Sequence, residues 1–138
     1  MVGILIIAHG TLGESLIHCA SHVMGGRPAQ LAHICVGMHD DPQVVLPQAT
    51  SLIRGLDQGS GVLVLSDVYG ATPSNIACRL LVPGKIEGVA GVNLPMLVRA
   101  LTYRNESLKT VVAKAISGGI EGVMPMPISQ VKNAATGN

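Results

Sequence analysis

A hydrophobic segment at the start of the chain ends on a histidine followed by a glycine. Residues 1–10 read MVGILIIAHG, so a short run rich in Ile and Val leads directly into Ala8, His9 and Gly10. A continuous apolar run of this length is typical of a strand that is buried on both faces of a parallel sheet. The segment therefore predicts a central strand over residues 2–8, with His9 at its carboxyl end.

Strands and helices alternate along the rest of the chain. Apolar runs predict further strands at residues 31–36, 62–66 and 86–92, and a last short strand at 121–126. Apolar residues at helical spacing, with glycine or proline near the ends, predict the intervening helices, at about 12–24, 42–56, 73–81, 95–103 and 108–117. Pro47 is expected to kink the second helix or delay its start. Gly118-Gly119 is expected to end the last helix.

This alternation predicts an α/β fold. The expected architecture is a three-layer α/β/α domain around a mostly parallel sheet of order 2-1-3-4, with a C-terminal antiparallel strand. We expect one domain over residues 1–126 and a frayed tail at 127–138, where the residues are mostly small and polar.

Composition excludes several classes of function. Only 12% of the 138 residues are charged and the net charge is +1, so the sequence has no basic footprint for nucleic acid. Tyr69 and Tyr103 are the only aromatic residues, which leaves almost no platform for base stacking. The 48% of hydrophobic residues is enough for a core without metals or disulfides, and the low share of charged residues leads us to expect that a partner or a second copy of the chain covers part of the surface.

The three cysteines favour a reducing compartment. Cys19, Cys35 and Cys78 are odd in number, far apart and outside any CxxC pair, which argues against a disulfide framework or a zinc site. We expect them to be small buried hydrophobic residues. No apolar stretch reaches the length of a membrane span, and the N-terminus lacks the basic region of a signal peptide, so the predicted location is cytoplasmic.

Two polar residues stand at the carboxyl ends of predicted strands. His9 closes the first strand and Asp67 closes the third, VLVLSD. Ligands of open parallel sheets bind at this edge, where the strand order reverses, and in the order 2-1-3 the two side chains would meet there. A carboxylate that accepts from Nδ1–H fixes the imidazole tautomer and leaves Nε2 as a nucleophile.

The segment after Asp67, VYGATPSN at 68–75, has the residues of a tight turn and a helix start. Gly70 permits the turn, Thr72 is placed to cap a helix that begins at Pro73, and free N–H groups there favour an anion. Together with His9 and Asp67, this predicts phosphoryl transfer through a phosphohistidine. A satisfied strand-terminal histidine and an aspartate that caps a loop are the simpler alternatives for the two residues taken singly.

The other histidines give weaker signals. His18 and His22 have an i, i+4 spacing that can bind metal, but no third ligand is evident, which favours a solvated helix face and no metal. His33 is expected to pack or to lie at the sheet edge. His39, in MHDDP, has two neighbouring carboxylates, but a helix-capping role for Asp41 is simpler than a cation site. The 37–42 loop would border the same edge of the sheet as His9.

At these residues the sequence resembles the enzyme IIA component of the mannose-type bacterial phosphotransferase system. The resemblance covers residues 1 to about 124 and rests on the strand ending in His9-Gly10, on SDVYGATPSNIACRL at 66–80 and on AGVNLPMLVRAL at 90–101. It implies that His9 is phosphorylated on Nε2 and that Asp67 orients it. It also implies a phosphoryl-binding role for Gly10, Gly70, Ala71 and Thr72.

The sequence departs from the family pattern at two positions of this segment. Ala71 stands where a second glycine is familiar, and Ser74 stands where a large apolar residue is frequent, at the docking surface. These differences concern the identity of the partner more than the chemistry.

The resemblance further implies partners and an assembly. The phosphoryl group would come from HPr and pass to enzyme IIB, here expected as a separate chain, while the membrane is involved only through a IIC/IID permease. The family implies a homodimer that exchanges its last strand, matched here by residues 121–126. No cofactor is implied. A regulatory phosphoprotein and a phosphoryl donor to a dihydroxyacetone kinase are the alternatives, whereas a hydrolase is disfavoured because no GxSxG motif is present.

Overall fold

The computed structural model describes residues 1–128 as an α/β fold with helices on both faces of one parallel sheet. The strand order is β2-β1-β3-β4, which confirms the predicted order. In chain order the elements are β1 Gly3–His9, α1 Leu12–Met24, β2 Leu31–Val36, α2 Pro42–Leu56, β3 Val62–Ser66, α3 Thr72–Cys78, β4 Ile86–Ala90, α4 Leu94–Tyr103 and α5 Leu108–Glu121.

The central strands are buried on both faces, as their apolar sequences predict. Alternate residues of β1 point into two cores: Ile4 and Ile6 pack against α1, α4 and α5, while Leu5 and Ile7 pack against α2 and α3. All four of these side chains are fully buried. The sheet is therefore fixed from both sides, and the carboxyl ends of β1 and β3 lie side by side because the two strands pair in parallel.

Most element boundaries agree with prediction to within two residues. Asp41 caps α2 by accepting from the Gln43 N–H at 2.9 Å, as expected. Pro47 does not delay the start of α2, which begins at Pro42. The proline is tolerated because it is exposed, so the Gln43 carbonyl that it leaves without an intrahelical donor is open to water.

One prediction about the C-terminal part of the chain is wrong. Gly118 and Gly119 do not end α5, which continues to Glu121, because both glycines pack closely against α4. Residues 122–127 form no strand within a single copy of the chain, and the strand expected at 121–126 through exchange with a second copy stays a prediction. The predicted tail at 127–138 lies outside the described residues apart from Pro127 and Ile128, which are exposed.

Several residues predicted to be buried lie on the surface. The three cysteines are exposed, because Cys19 and Cys78 face outward from helices and Cys35 lies on the edge strand β2. Four aliphatic residues within the predicted helices are also exposed: Leu12, Val23, Leu81 and Ile116. Within residues 1–128, no helix is both long and apolar enough to cross a bilayer.

Candidate functional site

His9 and Asp67 are in contact at the carboxyl edge of the sheet. The distance between His9 Nδ1 and Asp67 Oδ2 is 2.7 Å, although 58 residues separate them in sequence. His9 is the last residue of β1 and Asp67 follows the last residue of β3, so the parallel pairing of these strands brings the side chains together. The predicted contact is therefore present.

The Asp67 carboxylate is held by three hydrogen bonds. Oδ2 accepts from His9 Nδ1 and from the His9 backbone N–H at 3.0 Å, and Oδ1 accepts from the Val68 N–H at 2.9 Å. Burial opposes ionisation of this carboxyl, but the bonds from His9 and Val68 outweigh it and lower the pKa of Asp67 below its usual value. Asp67 is therefore an anion at neutral pH.

The anionic partner determines which imidazole nitrogen carries the proton. An ionised carboxylate only accepts hydrogen bonds, so the 2.7 Å contact requires a proton on His9 Nδ1. In the neutral ring Nε2 then holds the free lone pair. The side chain of His9 is 52% exposed whereas that of Asp67 is 10% exposed, so the nucleophilic nitrogen is on the accessible member of the pair.

The turn after Asp67 is arranged differently from the prediction in one respect. The sequence predicts that Thr72 caps a helix beginning at Pro73, but α3 begins at Thr72 itself and no side chain caps it. The local polar contact comes instead from Ser74, whose hydroxyl accepts from the Gly70 N–H at 2.8 Å and donates to the Ala71 carbonyl at 3.0 Å. Sequence reasoning missed this role, although a serine three residues after a turn is a recognisable signal.

The loop after β4 forms backbone hydrogen bonds to the end of β3, next to the site. The Gly91 N–H donates to the backbone carbonyl of Asp67 at 2.9 Å, and the Val92 N–H donates to that of Ser66 at 3.0 Å. Gly91 has a φ of +87°, a conformation that favours glycine. The AGVN segment thus holds the backbone that carries Asp67, a role that sequence reasoning did not assign to it.

Gly10 and the loop after β2 complete this edge of the sheet. Gly10 has a φ of +53° and open space where a Cβ would be, so the chain turns sharply from His9 into α1 without a side chain beside it. The Gly10 N–H donates to the backbone carbonyl of Val36, the last residue of β2, at 3.2 Å. The following loop is shaped by Asp40, whose carboxylate accepts from the Gly37 N–H at 2.6 Å.

Exposed apolar residues lie in the loops that surround His9. Met38, in the loop after β2, is 92% exposed, and Tyr69, in the turn after β3, is 78% exposed. Val68 beside Tyr69 is also exposed. Side chains of this kind around a reactive group are typical of a surface that binds another protein.

The remaining histidines lie outside this arrangement. His18 and His22 are exposed on α1 with ring centroids 5.0 Å apart, as expected for a solvated helix face. His33 is half-buried on the edge strand β2, and His39 is exposed in the loop after it. Within residues 1–128, no three side chains of the metal-ligating types come together.

Comparison with known proteins assigns this arrangement to a family. The family model EIIA-man, described as the PTS system fructose IIA component, matches residues 3–116. The chain belongs to the EIIA-man family of the phosphotransferase system. The match includes β1 with His9, the turn that carries Asp67 and the supporting loop after β4.

Curated relatives agree with this membership. The PTS system mannose-specific EIIAB component of Escherichia coli K12 is 32% identical over 97% of this chain, which spans 42% of that protein. The chain therefore covers less than half the length of the mannose-specific relatives it matches. The PTS system fructose-specific EIIA component of Bacillus subtilis is 26% identical, with 97% of this chain and 94% of the relative covered.

Solved structures share the fold. Component EIIA from Streptococcus agalactiae superposes with a TM-score of 0.79 at 25% identity, over 91% of this chain and 97% of that one. The mannose/sorbose-specific IIA subunit from Enterococcus faecalis gives a TM-score of 0.80 at 22% identity, over 92% and 96% of the two chains. The EIIA-man fold is thus present over nearly the whole chain.

Proposed function

We propose that this EIIA-man protein is a phosphoryl carrier whose acceptor is Nε2 of His9. In the transfer, the bond between phosphorus and the phosphorylated side chain of HPr breaks as the bond to Nε2 forms. A second transfer then moves the group to an enzyme IIB protein. The observation that carries this proposal is the 2.7 Å contact between His9 Nδ1 and Asp67 Oδ2, which leaves the lone pair of Nε2 free on a side chain that is 52% exposed.

Asp67 acts on the histidine during transfer. As Nε2 gains a phosphoryl group, the imidazole ring becomes more positive, and the adjacent carboxylate stabilises that charge. Gly10 leaves the approach to His9 open, and the turn formed by Gly70, Ala71 and Thr72 would lie against the phosphoryl oxygens. Asp67→Asn should slow transfer by roughly 10- to 100-fold, since an amide cannot supply the negative charge, while the protein still folds.

Intact mass spectrometry tests the acceptor. The protein is mixed with phosphoenolpyruvate, enzyme I and HPr, and we expect one phosphoryl adduct that is labile in acid and stable in base. His9→Ala should abolish the adduct, whereas the matched variant His18→Ala, which alters another exposed histidine, should retain it. Absence of the adduct on the wild type, or an undiminished adduct on His9→Ala, would show the proposal to be wrong.

The partners follow from the same proposal. The reaction takes place in the cytoplasm, with HPr as donor and a separate IIB chain as acceptor, and a IIC/IID permease is reached only through IIB. A pull-down with phosphorylated and unphosphorylated protein tests this. Recovery of IIB and HPr supports the carrier, while a state-dependent partner of another class would support a regulatory phosphoprotein, and recovery of a dihydroxyacetone kinase would support a donor role towards that enzyme.

We further propose that the protein forms a homodimer by exchanging its C-terminal segment. Strand β4 is at the edge of the sheet. It pairs with β3 on one side, and within residues 1–128 its outer side is bridged only at Ile86, by Val82, so the rest of that edge has no strand partner there. The segment after α5 is apolar and exposed, with Met124 and Met126 at 65% and 87%. Antiparallel addition of this segment to β4 of a second copy would bury both features.

A further inference from the structure

A buried serine hydroxyl connects the turn beside His9 to the helix that follows it. Ser74 is 2% exposed and makes two hydrogen bonds, accepting from the Gly70 N–H at 2.8 Å and donating to the Ala71 carbonyl at 3.0 Å. A single hydroxyl therefore binds one backbone donor and one backbone acceptor of the turn at the same time. Buried bonds of this kind hold a backbone segment more firmly than exposed ones.

Other contacts of the turn leave Gly70 unrestrained, although the Ala71 carbonyl that Ser74 contacts also accepts from the Asn75 N–H at 3.0 Å. The Ala71 N–H reaches the Val68 carbonyl only at 3.4 Å, and no side chain caps the start of α3. Gly70 has a φ of +91° and nothing within 4 Å of where a Cβ would be, so packing does not restrain it. Ser74 therefore supplies the main restraint on Gly70, and it shares the Ala71 carbonyl with the backbone of α3.

The helix that carries Ser74 is itself well fixed. Ile76 and Ala77 of α3 are buried in the core on that face of the sheet. At the other end of the turn, Val68 donates to the Asp67 carboxylate, which contacts His9. One end of the turn is thus attached to the core through Ser74, and the other end is attached to the His9–Asp67 pair through Val68.

The same contact decides which backbone donors of the turn are free. Because the Gly70 N–H donates to Ser74, it is not available to an anion at His9. The Ala71 N–H, with only its weak contact to Val68, and the groups of Thr72 remain. Their position relative to Nε2 depends on how the turn is held.

We propose that Ser74 is a positioning residue for phosphoryl transfer, which fixes the turn 70–72 against the phosphoryl group on His9. This proposal rests on the proposed function, because it concerns the same transfer.

Rapid-quench kinetics of transfer from phospho-HPr test the proposal. Ser74→Ala should lower the rate constant at saturating donor by about 3- to 10-fold, the equivalent of one lost hydrogen bond, with KM changed less than twofold. Ser74→Cys, which keeps the volume but bonds weakly, should behave like Ser74→Ala. Ser74→Thr should restore the rate, since a cavity of about 160 Å³ beside Ser74 has room for the added methyl group.

Ser66→Ala is the matched control. Ser66 lines the same cavity and is 3% exposed, but its hydroxyl has no hydrogen-bond partner within the part of the chain that the structure describes. Its loss should leave the rate unchanged. The role of Ser74 is refuted, and the proposed function is left standing, if Ser74→Ala transfers at the wild-type rate or if Ser74→Thr does not restore a lost rate. Absence of any transfer to wild-type His9 overturns the proposed function and the role of Ser74 together.

Amide hydrogen exchange provides a second measurement, which needs no phosphoryl donor. Ser74→Ala should accelerate exchange at Gly70 while amides of β1 remain protected. Unchanged exchange at Gly70 would contradict the restraint from which the proposal is argued.

Discussion

Asp67 is a largely buried carboxylate that is ionised at neutral pH. Its contribution to the free energy of unfolding therefore depends on pH. Its carboxylate is 10% exposed, yet hydrogen bonds from His9 and Val68 lower its pKa. A carboxyl whose pKa is lower in the folded state stabilises the protein above its unfolded pKa, near 4. That contribution is lost as the pH falls through the folded pKa.

Asp67→Asn should therefore destabilise the protein in a pH-dependent way. At pH 5 we expect a loss of about 1–3 kcal/mol, because the amide cannot accept all three hydrogen bonds equally well. At pH 2.5 the difference between variant and wild type should shrink, since the wild-type carboxyl is then becoming protonated. Urea unfolding at the two pH values measures the difference in unfolding free energy between variant and wild type. A difference that is the same at both pH values would contradict the role of the Asp67 charge.

Arg104 is a buried cation at the opposite edge of the sheet from His9. It is 6% exposed and its guanidinium donates to the backbone carbonyls of Val2, Ala29 and Gln30. Burial lowers the pKa of Arg104. The side chain joins the end of α4 to the segments that precede β1 and β2, a role that sequence reasoning did not identify because an isolated arginine carries no such signal.

Arg104→Ala should cost about 3 kcal/mol of unfolding free energy, because it leaves buried carbonyls without their donor. Arg104→Lys should be intermediate, since an ammonium lacks the planar fork of the guanidinium. The matched control is Arg99→Ala, which removes a surface ion pair with the exposed Glu121 and should cost less than about 1 kcal/mol. Equal losses for Arg99→Ala and Arg104→Ala in chemical denaturation would argue against this account.

At the scale of elements, the pairing of α4 with α5 depends on small residues. A Cβ at Gly118 would approach Arg99 Cβ to 2.7 Å and the Pro95 carbonyl oxygen to 3.2 Å. At Gly119 a Cβ would lie 2.8 Å from Met96 Cε. The glycines are in α5 because the helices approach closely there, which explains why they do not end the helix as their sequence suggests.

This packing gives opposite predictions for two glycines within helices. Gly118→Ala should destabilise the protein by about 1–3 kcal/mol, because the Arg99 Cβ is close to the backbone and cannot move aside cheaply. Gly55→Ala in α2, where nothing lies within 4 Å, should stabilise it by about 0.5–1 kcal/mol through helix propensity. Thermal unfolding measures both, and a shift of the same sign for the two variants would contradict the packing argument.

On the scale of the whole molecule, two groups of exposed apolar residues have a role in the proposed function. One comprises Met38, Val68 and Tyr69 in the loops around His9. The other follows α5 and includes Val123, Met124 and Met126. In the proposed function the first group meets the phosphoryl donor and acceptor, while the second joins two copies of the chain.

Charged substitutions should separate these two surfaces. Met126→Asp should weaken the proposed dimer by at least tenfold in Kd, because burial of a carboxylate opposes strand exchange. Met38→Asp should leave the dimer intact and raise the KM for phospho-HPr. Sedimentation equilibrium measures the first effect and transfer kinetics the second. A wild-type protein that is monomeric at all concentrations tested would refute the exchange.

Much of the fold was predictable because it follows from local patterns. The apolar runs of β1, β2 and β3 and the spacing of α1, α2 and α4 determine where these elements lie. Crossover handedness and the need to bury both faces then restrict the possible strand orders, among which the structure has 2-1-3-4. The errors fall at Gly118, Gly119 and the cysteines, where exposure or continuation of a helix depends on which neighbours pack nearby.

The sequence by itself determined the strand that ends on His9, the strand that ends before Asp67 and, through the order of strands, their meeting. Only the tertiary structure decided how the carboxylate is shared among His9 and Val68 donors, that Ser74 holds the turn, and that Arg104 joins three distant carbonyls. The physical reason is the distance along the chain over which each kind of interaction acts. Periodicity and turn chemistry act within a few residues, whereas these hydrogen bonds depend on the distance and direction of groups that only packing brings together.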